Sequence, residues 1–153
     1  MADIWLIRHG QAGDVMGDYD RLSERGREQS SVAGEGWRHL GPVDHVVMGG
    51  MRRHALTAEA FAVGFGPMPA PTVDLGFNEF DHQVVVRAAL AAGLTPPSDG
   101  GRAAFFSFFG DAMGRWAEGE HDDDYAEPYQ AFHARVIAGF DRPNICYRIA
   151  LKH

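Results

Sequence analysis

The chain has 153 residues, enough for one domain with a core of its own. Its formal net charge of -7 argues against a nucleic-acid partner, which ordinarily meets a basic face, yet a few converged arginines can still build a local anion site. A single cysteine, Cys146, allows no internal disulfide and fits a reducing compartment.

The opening "MADIWLIRHG" lacks the basic start of a secretory signal. Ile4 to Arg8 reads as a short buried strand, because its apolar run is unbroken and stops at Gly10. After a polar loop, "LSERGREQSSVAGEGWRHLG" reads as a helix capped by Ser23 and stopped by Gly41-Pro42. "DHVVM" predicts a second strand, and "RRHALTAEAFAVG" a second helix closed by Gly64. "PTVDLGFNEFD" is extended and holds a third strand, and "QVVVRAALAAG" is helical. "RAAFFSFFGDAMGRWAEG" carries Phe105, Phe109, Met113 and Trp116 at helical spacing, and its most apolar stretch, "AAFFSFFGDAM", is too short to span a bilayer. "EPYQAFHARVIAGF" is a last helix, with Phe132, Val136 and Phe140 on its buried stripe and His133 beside it. Strands alternating with helices predict an α/β fold, three layers with a central, mostly parallel sheet. One domain over residues 1–153 is expected, soluble and cytoplasmic, with no membrane or nucleic-acid partner and an oligomeric state left open.

This fold class locates Arg8-His9-Gly10, since ligands of open parallel sheets bind beyond the carboxyl ends of the strands. An imidazole held through one ring nitrogen can attack with the other. A neighbouring guanidinium offers a planar fork of donors to a phosphate. The alternative reading is a capping arginine beside a hydrogen-bonded histidine.

Four blocks then occur in order over residues 3–82. "LIRHGQA", "DYDRLSERGREQSSVAG", "GGMRRHALTAEAF" and "GFNEFDH" resemble the histidine phosphatase superfamily, which includes the phosphoglycerate-mutase-like enzymes. The resemblance implies that His9 is the nucleophile and becomes a phosphohistidine. It implies that Arg8 and Arg53 bind the phosphoryl oxygens, that Arg52 points away, and that Glu79 gives and then takes the proton. No cofactor and no metal are implied, and the partner is a phosphorylated small molecule or phosphoprotein.

Three departures stand out. "MGG" (Met48 to Gly50) replaces the usual small serine pair, and Leu56 the usual glutamine. No late strand ends in a second His-Gly, so residues 141–153 read as an atypical tail from a truncation or frame change. The chain as given is therefore expected to bind phosphate but turn over poorly. Among the other histidines, His82 is the one near Glu79, while His39, His45, His54 and His121 carry no supporting pattern. "EHDDDY" (Glu120 to Tyr125) reads as a solvated acidic loop rather than a calcium loop. The expected function is hydrolysis of a phosphomonoester. A mutase, or a weakly active phosphate-binding module, are the alternatives.

Overall fold

The computed structural model describes residues 4–13, 18–96, 98 and 101–142. It is an α/β chain, with five helices and one small parallel sheet among the described residues. Two compact units divide it: Met1–Asn78 with Gly139–His153, and Glu79–Ala138.

The first unit is built on two helices. In α1 (Glu24–Trp37) the Ser23 hydroxyl accepts from the Gly26 N–H at 3.0 Å, so the predicted cap is the real one. After a short 3-10 turn over Arg38–Leu40 the chain leaves through Gly41 at φ 90°, a conformation that favours glycine. Helix α2 (Arg52–Phe65) crosses α1 at close range. The crossing is set by two glycines, Gly34 and Gly64. A methyl group on Gly64 would overlap the Ser31 carbonyl oxygen and sit 2.8 Å from the Glu35 nitrogen. One on Gly34 would meet the Phe61 carbonyl in the same way. Gly64 therefore does not close the helix as its sequence suggests. Gly66 does, at φ 109°, with its N–H bonded to the Ala62 carbonyl at 2.9 Å. Phe61 stacks on Phe65 beside this crossing, and both are buried.

The strands are β1 (Val47–Met48) and β2 (Thr72–Val73), paired in parallel with Val47 opposite Thr72. These fall within the expected "DHVVM" strand and the extended segment "PTVDLGFNEFD". The expected first strand, Ile4 to Arg8, is not one: it joins no ladder among the described residues, and Leu6 is 75% exposed. A strand needs a hydrogen-bonding neighbour, which an apolar run cannot supply by itself. What holds the segment is Trp5, whose ring meets Trp37 edge-on at 5.4 Å and Phe65 at 6.3 Å.

The second unit is helical. It contains α3 (His82–Ala91), α4 (Gly101–Glu118) and most of α5 (Tyr129–Phe140). Asp81 caps α3 through the N–H groups of Gln83 and Val84. Val85, Trp116 and Tyr125 form the core, with Phe80, Met113 and Phe132 packed on it. The buried face of α4 is Phe108, Ala112 and Trp116, whereas Phe105 of the expected stripe is 52% exposed. Trp116 is common to both faces and holds the helix, with its ring 4.5 Å from that of Phe80 and its N–H donating to the Glu127 carbonyl at 2.9 Å; Ala112 and Phe108, one and two turns before it, share its side. His133 is exposed beside Phe132, as its flanking position predicts. In the acidic loop Asp124 pairs with Arg115. The last turn of α5 belongs to the first unit, where Phe77 packs edge-on against Phe140 at 5.0 Å.

No helix of the described residues is long and apolar enough to cross a membrane. The tail from residue 143 onward, including Cys146 and His153, and part of the 93–101 loop lie outside the described residues.

Candidate active site

The stretch from Arg8 to Gly13 is fastened to the N-terminal turns of both helices. Gly10 lies against the Gly26 carbonyl of α1 so closely that a methyl group there would overlap it, and 2.7 Å would separate it from the Ser30 hydroxyl. Gly26 in turn has no room for a side chain beneath Gln11. The Gln11 N–H donates to Gln29 Oε1 at 3.1 Å, and its carbonyl accepts from both the Ser23 N–H and the Ser23 hydroxyl. Thus Ser23, the cap of α1, and Gly26 and Gln29 in its first turns each hold the loop that carries His9. Gly10 is required here for close approach of two backbones.

From α2, the Thr57 hydroxyl accepts from the Gly10 N–H at 3.2 Å and donates to the Arg53 carbonyl at 2.8 Å. Two hydrogen bonds therefore connect the backbone beside His9 to the backbone of Arg53. Arg53 is 2% exposed. Its Nη1 donates to Asp20 Oδ1 at 3.0 Å, and its guanidinium carbon lies 5.3 Å from the centre of the Tyr19 ring. Arg52 is exposed and pairs with Asp18 at 2.8 Å, a surface contact worth about 0–1 kcal/mol. Successive helix residues point about 100° apart, and here Arg53 turns inward while Arg52, on its other side, turns to solvent.

Asp20 also takes the N–H groups of Arg52 and Arg53, at 2.9 and 3.3 Å, and so caps α2 from a distant loop. Burial pushes its carboxyl up. The two backbone N–H groups and the Arg53 guanidinium outweigh that and hold it below the ordinary 3.8. The unfolded chain then takes up the proton first as pH falls. Ionised Asp20 stabilises the fold fully above about pH 4 and ceases to do so as pH falls through its depressed folded value. Thermal melts of the wild type and Asp20→Asn should differ most above that pH and converge only as pH falls through the depressed folded value.

The His9 ring is half-buried, and its Nδ1 lies 2.7 Å from the Gly10 carbonyl oxygen. A carbonyl only accepts, so Nδ1 carries the proton and the lone pair is on Nε2. Arg8 is exposed. With Gln11, Ala12, Gly13, Tyr19 and Gln29, residues 8–10 line a cavity of about 460 Å³. Arg8 and His9 thus share one cavity, and Arg53 touches the Tyr19 that forms part of its wall. Glu79 is half-buried at the first position of the second unit, directly after Asn78, whose Oδ1 accepts from the Gly50 N–H at 2.6 Å. His82 is half-buried on α3, its ring 6.3 Å from that of Phe109.

A family model, that of the histidine phosphatase superfamily (branch 1), matches residues 4–144. The chain belongs to the histidine phosphatase superfamily. Activity of the phosphatase or mutase type on phosphorylated substrates goes with that family. No curated protein and no solved structure matches the chain.

Two residues close to the members of this site carry no direct sequence signal. Asp20 is one, because its partners are 32 and 33 positions away. His54 is the other: its ring centre lies 6.2 Å from that of His9. The only sequence signal for His54 is indirect, the glycine pair that precedes its helix.

Proposed function

We propose that this protein hydrolyses phosphomonoesters through a phosphohistidine at His9. The single observation that carries the reading is the Nδ1 contact of His9 with the Gly10 carbonyl, which leaves the attacking lone pair on Nε2 of a histidine lining a cavity. In the first step Nε2 attacks phosphorus and the ester oxygen departs, taking a proton from Glu79. In the second, water attacks phosphorus, its proton passes to the Glu79 carboxylate, and the His9 imidazole leaves as phosphate is released. Arg8 and Arg53 offset charge on the equatorial oxygens, where phosphoryl transfer needs it most. The role of Glu79 rests on its motif, "GFNEFDH", and a carboxyl close to phosphate oxygens resists ionising. The wider frame is the three-layer, mostly parallel architecture, acting as a single domain. The substrate is a phosphorylated small molecule or phosphoprotein, and the site of action is the cytoplasm.

The test is hydrolysis of an aryl phosphate, with the two arginines compared. Charge-assisted hydrogen bonds contribute about 1.5–3 kcal/mol each, so Arg53→Ala should weaken binding of inorganic phosphate by roughly tenfold or more. Arg52→Ala should change it little. Circular dichroism checks that both variants are folded. A wild type without hydrolytic activity, or the reverse order of the arginines, contradicts the proposal.

A further inference from the structure

His54 stands in the first turn of α2, directly after Arg53. Its ring is tilted 35° to that of His9, with 6.2 Å between the ring centres. The space for it is made by Gly49, whose missing side chain would otherwise lie 2.5 Å from His54 Nδ1 and 2.7 Å from the Phe77 carbonyl oxygen. Nδ1 is buried on that side. The histidine and the glycine fit each other: any larger residue at position 49 moves the ring. Gly49 is itself buried and joins β1 to the turn before α2, so the ring is seated on backbone rather than on mobile side chains.

We propose that His54 is a further phosphoryl-binding side chain of this site. It donates through Nε2 to an oxygen of the phosphoryl group carried by His9. This inference rests on the phosphatase reading above. Two imidazoles at this spacing bring the oxygens of a phosphoryl group on one within hydrogen-bonding reach of the other, about 2.7–3.2 Å. A bond to an anionic oxygen is of the charge-assisted kind, which strengthens as charge builds up on the transferring group. Arg53 and His54 would then approach the group from adjacent positions of one helix turn, with Arg8 reaching it from the loop.

Two substitutions separate this role from simple packing. His54→Leu fills space beside Gly49 without a donor, whereas His54→Gln keeps a donor. The readouts are binding of inorganic phosphate by calorimetry, kcat and KM for an aryl phosphate, and melting temperature. His54→Leu should weaken phosphate binding by about tenfold or more and lower kcat with little change in melting temperature. His54→Gln should keep most of both. A leucine variant equal to the wild type overturns the inference, as does a glutamine variant that loses as much as leucine. His9→Ala assayed alongside distinguishes the two levels of the account. Turnover that depends on His9 but is indifferent to His54 defeats this inference alone. A wild type with no turnover and no phosphate binding defeats the phosphatase reading and this one together.

Discussion

His9→Ala should lower aryl phosphate turnover by roughly 10³-fold or more, and leave the fold intact. The size follows from the role: a covalent nucleophile opens a route that nothing else in the site can take, and losing one costs on the order of 10⁶-fold in a well-studied hydrolase. The fold should survive because the loop is anchored by backbone, not by the imidazole. Gly10, Gln11 and Gly26 make the close contacts, and Ser23, Gln29 and Thr57 supply the hydrogen bonds. Binding of inorganic phosphate should persist in this variant, since Arg8 and Arg53 remain. A variant that retains turnover near the wild-type level removes His9 from the reaction.

The second large effect is on stability, at the crossing of α1 and α2. Gly64→Ala gains about 1 kcal/mol of helix propensity, so in isolation it should stabilise. Here the added methyl group overlaps the Ser31 carbonyl, which is backbone and cannot rotate away. Forcing extra volume into a tight contact costs about 1–3 kcal/mol, and more when backbone must shift. The net is destabilising. At about 2–4 °C per kcal/mol for a chain of this size, melting should fall by several degrees. Gly36→Ala and Gly110→Ala are the controls, because nothing lies within 4 Å of an added methyl group at either position. Both are helical and exposed, so both should stabilise by about 0.5–1 kcal/mol. Equal melting shifts at positions 36 and 64 would mean that the glycine crossing is not as close as described.

What the sequence discloses is mostly local. Ser23 as a cap and Gly41 as a stop act within one turn of their own helix, and both stand where they were expected. The two short strands were legible for the same reason, as apolar runs bounded by turn residues. Gly64 misleads because a glycine near a helix end has two uses. One is conformational and the other is to let a second helix approach, and only the packed structure decides between them. Ile4 to Arg8 has the composition of a strand, but pairing is a property of two segments, and one segment cannot disclose it. The shift of the buried face of α4 has a similar origin: with aromatics on several faces, which of them buries beside Trp116 is settled by the elements packed against the helix.

The site divides in the same way. Arg8, His9 and Gly10 could be singled out because they are consecutive, and the choice of Arg53 over Arg52 comes from the resemblance of "GGMRRHALTAEAF" to the family's block, helix geometry adding only that the two point different ways. The blocks around Gln29 and Thr57 could be matched as motifs, but their work, holding the loop at Gln11 and Gly10, is visible only across the packed elements. Asp20 is tied to Arg53, and the His54 ring lies 6.2 Å from that of His9, through contacts far along the chain that no spacing rule reaches.

The most direct measurement is the position of the phosphoryl group in the intermediate. Turnover of a phosphate ester is quenched in alkali, where phosphohistidine survives, and the modified residue is located by mass spectrometry. Phosphorus NMR then distinguishes the two ring nitrogens. Because Nδ1 is committed to the Gly10 carbonyl, the phosphoryl group should be found on Nε2 of His9. A phosphoryl group on Nδ1, or on any other side chain, contradicts the account.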